Sequence, residues 1–194
     1  MVDKIIFWMD GNPFTYLLAN SLQNKIDGDF YTIIDITDRP KNFFLKQKFV
    51  NFKESWYFHD NINSESKNID FEFLKFFEEK YKINLWLLAQ NERLFNYYNE
   101  YHTFTTNEIL SILQDECKLF DQILDKVKPD FFITKETALH HQHLFYEMCR
   151  SIGVKVLMLN QSKFGYKCLI SEELHQLDKK IFYPRHRIQL YLIF

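Results

Sequence analysis

Four short stretches hold side chains whose types and spacing could do chemistry. The first is Asp10-Gly11-Asn12-Pro13, between an apolar run and a helical pattern. In open α/β sheets ligands gather at the carboxyl ends of strands and at helix N-termini, where amides and the helix dipole favour an anion. Gly11 permits a tight turn there, Asn12 can donate or accept, and Asp10 could serve as a general base. An ordinary strand-end turn uses the same residues. The stretch is neither G-x-G-x-x-G nor G-x-x-x-x-G-K-[ST], so it carries no dinucleotide fingerprint and no P-loop.

The second stretch is Lys135-Glu136 with His140, His141 and His143. On one helix Glu136, His140, His143 and Glu147, spaced four, three and four apart, share a face, as converging metal ligands must. The pattern is not H-E-x-x-H, and a polar face with His143 paired to Glu147 accounts for it, so no metal is expected. His140 and His141 near the helix start can exchange hydrogen bonds, and protons near neutral pH. The third, Asn160 to Gly165, offers Ser162 and Lys163 to a sugar or phosphate, or is a plain polar loop. The fourth is Gln90-Asn91-Glu92-Arg93, where charges among bulky apolar residues demand pairing or exposure. No Ser-His-Asp or Cys-His constellation can be assembled.

The elements that must position these groups alternate between strand and helix. Lys4 to Met9 reads as a strand buried on both faces. Asn12 caps, and Pro13 opens, a helix bearing Phe14, Leu17, Leu18 and Leu22. Asp29 to Ile36 is a second strand and Glu54 to His59 a third, with Phe43 to Lys53 between them an excursion or short helix. Asp60 to Asn68 reads as a surface loop, and Ile69 to Tyr81 as a helix with Phe71, Leu74, Phe77 and Tyr81 in a stripe. Leu85 to Tyr101 is read as helix rather than strand. Thr105 and Glu108 form a capping box, opening a helix whose face carries Ile109, Leu113, Cys117, Phe120, Leu124 and Val127 and which Pro129 stops. Asp130 to Thr134 is a strand, Thr137 caps a helix running to Ile152, Gly153 closes it, and Val154 to Leu159 is a strand. Lys167 to Ile170 adds a short one. The pattern predicts an α/β, Rossmann-like fold: a mostly parallel sheet with helices on both faces.

Composition bounds the function. A length of 194 residues suits one domain, expected over residues 1–178, with 179–194 a basic then apolar segment, a linker or an edge element, leading to a second domain. The 21 Phe, 11 Tyr and 3 Trp fill a core or form an exposed sticky face. Net charge is −2, and the one basic cluster, Lys179, Lys180, Arg185, His186 and Arg187, is too short for a nucleic-acid footprint. Three widely spaced cysteines, Cys117, Cys149 and Cys168, make neither a zinc knuckle nor a disulfide framework. Without a signal peptide or a run of roughly 18 apolar residues, the expected place is cytoplasmic, beside a membrane at most rather than through it.

Asn91-Glu92-Arg93-Leu94-Phe95, the run from Ile109 to Ile133, HHQHLFYEMCRSIGVKVLML (His140 to Leu159) and NQSKFGYKCLIS (Asn160 to Ser171) carry a resemblance. Together they resemble the N-terminal half of capsule and surface polysaccharide biosynthesis proteins, themselves similar to GT-B-type glycosyltransferases. The likeness covers about Leu85 to Ser171, and more weakly Trp8 to Leu18. It implies an acceptor-side domain, receiving a glycan or glycolipid acceptor while a second domain binds the nucleotide-sugar donor. Under it, Asp10, Glu92 and His140 are the catalytic candidates, a carboxylate or imidazole removing the acceptor hydroxyl proton. Gly11, Asn12, His141, Ser162 and Lys163 are the substrate-binding candidates, with no cofactor of the domain's own. The alternatives are a non-catalytic α/β ligand-binding or scaffolding module, and a nucleotide-sugar epimerase-like enzyme.

Overall fold

The computed structural model describes residues 2–63, 68–97, 100, 102–161 and 168–173. In chain order the elements are β1 (Asp3–Met9), α1 (Phe14–Leu22), β2 (Gly28–Ile34), α2 (Asp38–Lys46), β3 (Phe52–Tyr57), α3 (Phe58–Asn61) and α4 (Phe71–Tyr81). There follow α5 (Leu85–Asn91), α6 (Arg93–Asn96), α7 (Thr106–Val127), β4 (Phe131–Lys135), α8 (His140–Ser151), β5 (Lys155–Gln161) and β6 (Cys168–Ser171). The strands form one sheet in the order β3-β2-β1-β4-β5-β6, parallel except for the antiparallel edge strand β6. This is the Rossmann-like architecture expected from the strand–helix alternation.

Because side chains alternate across a strand, the continuous apolar runs supply two cores at once. Ile5, Phe7 and Met9 face α1 and α2, with Tyr16, Ala19, Phe44 and Val50 beyond them. Ile6 and Trp8 face the other way, with Phe132, Val156 and Met158, against α4, α5, α7 and α8. Trp8 is the hub of the second core: its ring centroid lies 6.0–6.4 Å from those of Phe58, Phe120, Phe132 and Phe145. Core filling thus uses many of the aromatics, yet Phe43, Phe49, Phe71, Phe76, Trp86 and Tyr97 stay exposed.

The start of α7 and the end of α8 follow their sequence signals. The Thr105 hydroxyl accepts from the Glu108 amide while the Glu108 carboxylate accepts from the Thr105 amide, the predicted capping box, and all six residues of the predicted α7 stripe are buried. Asn12 Oδ1 accepts from the Phe14 amide at 2.9 Å, but the cap position of α1 falls on Pro13, one residue later than expected, and has no side-chain cap bond. Gly153 has φ +81°, the left-handed conformation that glycine adopts without penalty.

Several expectations are revised. Phe43 to Lys53 resolves into the end of α2 and the start of β3, which begins two residues ahead of Glu54. Phe58 and His59 leave the strand for α3, which also takes Asp60 and Asn61 from the expected loop. Leu17, Phe71 and Ile152 point to solvent; Tyr16 and Ala19 take the buried side of α1. Thr137 does not cap α8, which starts after Leu139 without a side-chain cap; its hydroxyl meets His143 Nδ1 at 3.1 Å instead. Residues 162–167 and 174–194, with Ser162, Lys163 and the basic and apolar C-terminal segment, lie outside the described residues. Among the described residues no helix is long and apolar enough to cross a membrane.

Candidate functional site

The connections leaving β1 and those reaching β4 pass on opposite faces, so the topological switch point falls between these adjacent strands. Asp10 follows β1 and Lys135 ends β4. The lysine Nζ lies 2.6 and 2.9 Å from the two Asp10 oxygens. Asp10 Oδ1 also accepts from the Asn12 amide at 3.0 Å, and Asn12 in turn holds the Phe14 amide. A carboxylate therefore already sits where the amino end of α1 would attract an anion. At Gly11 an added Cβ would meet no atom within 4 Å, so crowding does not demand glycine there.

A second cluster lies on the face carrying α7 and α8. The chain turns at Glu92, whose Oε1 caps α6 by accepting from the Leu94 amide at 2.9 Å. Its Oε2 accepts from the His140 amide at 2.7 Å and from His140 Nδ1 at 2.9 Å. The other ring nitrogen, Nε2, lies 2.9 Å from Glu116 Oε1 on α7. All three side chains are buried, 6% exposed for His140, 2% for Glu92 and 1% for Glu116. Glu116 Oε2 has no hydrogen-bond partner among the described residues.

Burial alone would lower the pKa of His140, but the carboxylates of Glu116 and Glu92 outweigh it and raise it to about 9. Burial works to raise that of Glu92; the His140 ring and the Leu94 and His140 amides overcome it and hold it at about 2. At neutral pH His140 is an imidazolium, bonded through its ring nitrogens to Glu92 and Glu116. His140 so held is a fixed positive charge and not a proton acceptor.

His141 turns to the core instead. Its Nε2 donates to Asp35 Oδ2 at 2.9 Å, and its ring stacks on Phe58 with centroids 4.4 Å apart. Asp35, just past β2, also receives Trp8 Nε1 at 3.3 Å and pairs with His59 Nε2 at 3.0 Å. Burial pushes the Asp35 pKa up, and the bonds from His141 and His59 reverse this, holding it below the usual carboxylate range. His141 is buried and is not among the residues lining the pocket beside Glu92 and His140.

Beside Glu92 and His140 opens a pocket of about 400 Å³, at the carboxyl end of β4 between α5 and the start of α8. Ile83, Leu87 and Leu88 give it an apolar wall; Asn84, Asn91, Thr137, His143 and Glu147 give it polar groups. That size and mixture fit a small polar ligand with an apolar face. Carboxylates have about four acceptor positions, of which Glu92 uses three, leaving one on Oε1 for a ligand donor.

The structure thus joins Glu92 to His140, and Asp10 to Gly11 and Asn12, as two separate groups. The helix face Glu136-His140-His143-Glu147 does not form, because α8 begins at His140 and the His140 ring turns inward; His143 and Glu147 approach at 3.7 Å, the pairing the sequence suggests. Glu116 and Asp35 were not singled out from sequence. Glu116 had a signal: it falls between Leu113 and Phe120, three and four residues away, so it is a carboxylate inside the apolar stripe.

Comparison of the chain with family models, curated proteins and solved structures gives no match.

Proposed function

We propose that this chain is the acceptor-side domain of a glycosyltransferase of surface or capsule polysaccharide synthesis, receiving a glycan or glycolipid acceptor. The observation that carries this reading is the mixed polar and apolar pocket at the carboxyl end of β4, with Glu92 and His140 in its wall. Sugars present apolar C–H faces and rings of hydroxyls, which Leu87 and Leu88 together with Asn84, Asn91 and Thr137 complement. The residues from Leu85 to Ser171 that resemble capsule synthesis proteins include most of this wall. Glu92 accepts and orients an acceptor hydroxyl through its remaining position, while the His140 imidazolium fixes the carboxylate. The nucleotide-sugar donor belongs to a second domain, and the departing diphosphate is neutralised there rather than at the Asp10 turn.

The reading of a non-catalytic ligand-binding module keeps one observation in its favour. Every candidate acid and base here is already paired: Asp10 with Lys135, Glu92 with His140, Asp35 with His141. Screening the protein against immobilised glycans, then titrating the best binder into wild type and Asn91→Ala, tests the shared claim. Glycan binding weakened at least about tenfold by the substitution supports it. Binding to no glycan, or equal binding by both proteins, overturns it. Sugar transfer in the protein containing this domain, lost in Glu92→Gln, separates the transferase from the module.

A further inference from the structure

We propose that Glu116, His140 and His141 form a site for one first-row divalent cation of the zinc type, with a two-imidazole, one-carboxylate ligand set. One donor atom from each residue lies within 4.8 Å of the other two, and all three residues are buried. A tetrahedral ion with bonds of about 2.0 Å spaces its ligands by about 3.3 Å, so modest side-chain rotations close the set.

Three independent features point to a cation. Glu116 Oε2 is buried without a hydrogen-bond partner among the described residues, an arrangement that is costly unless a donor or a positive charge meets it. Each histidine is anchored through one nitrogen by a carboxylate outside the set: His140 Nδ1 by Glu92 and His141 Nε2 by Asp35. That leaves Nε2 of His140 and Nδ1 of His141 to coordinate, and a carboxylate holding the far nitrogen of each imidazole is the usual second layer around a protein-bound metal. Finally, Glu92, Glu116 and Asp35 place three carboxylates in one interior region, where a dication meets the charge more fully than imidazoles alone. On binding, the ion takes the position of the His140 Nε2 proton, which is released to solvent. Three protein ligands leave a fourth position for water or a ligand oxygen.

This set differs from the helix face Glu136-His140-His143-Glu147, which the fold does not assemble. It stands independently of the glycan reading, since its test needs no sugar.

The experiment is to strip the protein with a chelator, titrate it with Zn²⁺ under native mass spectrometry, and record the absorption of the Co²⁺ form. One ion per chain, a raised melting temperature and a four-coordinate Co²⁺ spectrum without a thiolate charge-transfer band are expected. Glu116→Gln, near-isosteric, and Asp35→Asn, which removes no ligand, should each weaken affinity by about tenfold or more. No uptake by wild type, a thiolate band, or uptake unchanged in both folded variants overturns the site, the last by assigning the ion to surface histidines.

Discussion

Glu92 takes two hydrogen bonds on one oxygen from a single residue, His140: one from the backbone amide at 2.7 Å and one from the ring at 2.9 Å. The pairing does two things at once. It satisfies an amide at the start of α8, a helix that has no side-chain cap, and it aligns the imidazole with Glu116 on α7. A contact between the α5–α6 turn and α8 thereby sets the wall of the pocket.

Removing that carboxylate should be severe. Glu92→Ala strands a buried imidazolium against one partner and deletes the α6 cap, so unfolding free energy should fall by about 3–5 kcal/mol in urea denaturation. A loss under about 1 kcal/mol would show that the pair carries little of the fold.

In the metal-free protein, stability should peak in mildly acidic solution. His140 is raised from 6.5 to about 9, so its contribution is complete below pH 6.5 and is lost as pH rises through about 9. Glu92 is lowered from 4.5 to about 2, so its contribution is present above pH 4.5 and is lost as pH falls towards 2. Urea midpoints measured from pH 3 to 10 should fall at both ends, and His140→Gln should flatten the alkaline limb.

The Asp10–Lys135 pair is partly exposed, and solvent screens it. Asp10→Asn should change stability by less than about 1 kcal/mol, by the same denaturation assay. A larger loss would make the switch-point pair a structural element.

Core and surface aromatics should separate cleanly. Phe120 is fully buried among Trp8, Phe58 and Phe145, and Phe120→Ala should cost about 3–5 kcal/mol. Phe76 is exposed on α4, and Phe76→Ser should stay within about 0.5 kcal/mol. Calorimetric melting of the two variants checks the contrast.

The strand–helix order was legible because buried parallel strands leave continuous apolar runs and because caps are local chemistry. Lys4 to Met9, the Thr105–Glu108 box and Gly153 each carry their own signal within a few residues. Thr137 misled because a threonine beside a helix start has other bonds available, here to His143. Glu92 and His140 each stood out as charged or titratable groups in apolar settings. Their union did not, because 48 residues separate them and the contact depends on how α5, α7 and α8 dock on one sheet face. Periodicity shows which side of a helix is buried, but not which residue it meets. Glu116 was hidden for a related reason: one carboxylate in a strong apolar stripe reads as noise until its buried partner is known.

The central claim is that a glycan acceptor occupies the pocket walled by Glu92 and His140. The direct measurement is an amide-resolved NMR titration of the protein with the glycan that binds best. Shifts confined to Asn84–Glu92 and Thr137–His143, and abolished in Asn91→Ala, are the predicted result. Saturable shifts centred on the β1–α1 turn, or none with any glycan, would contradict it.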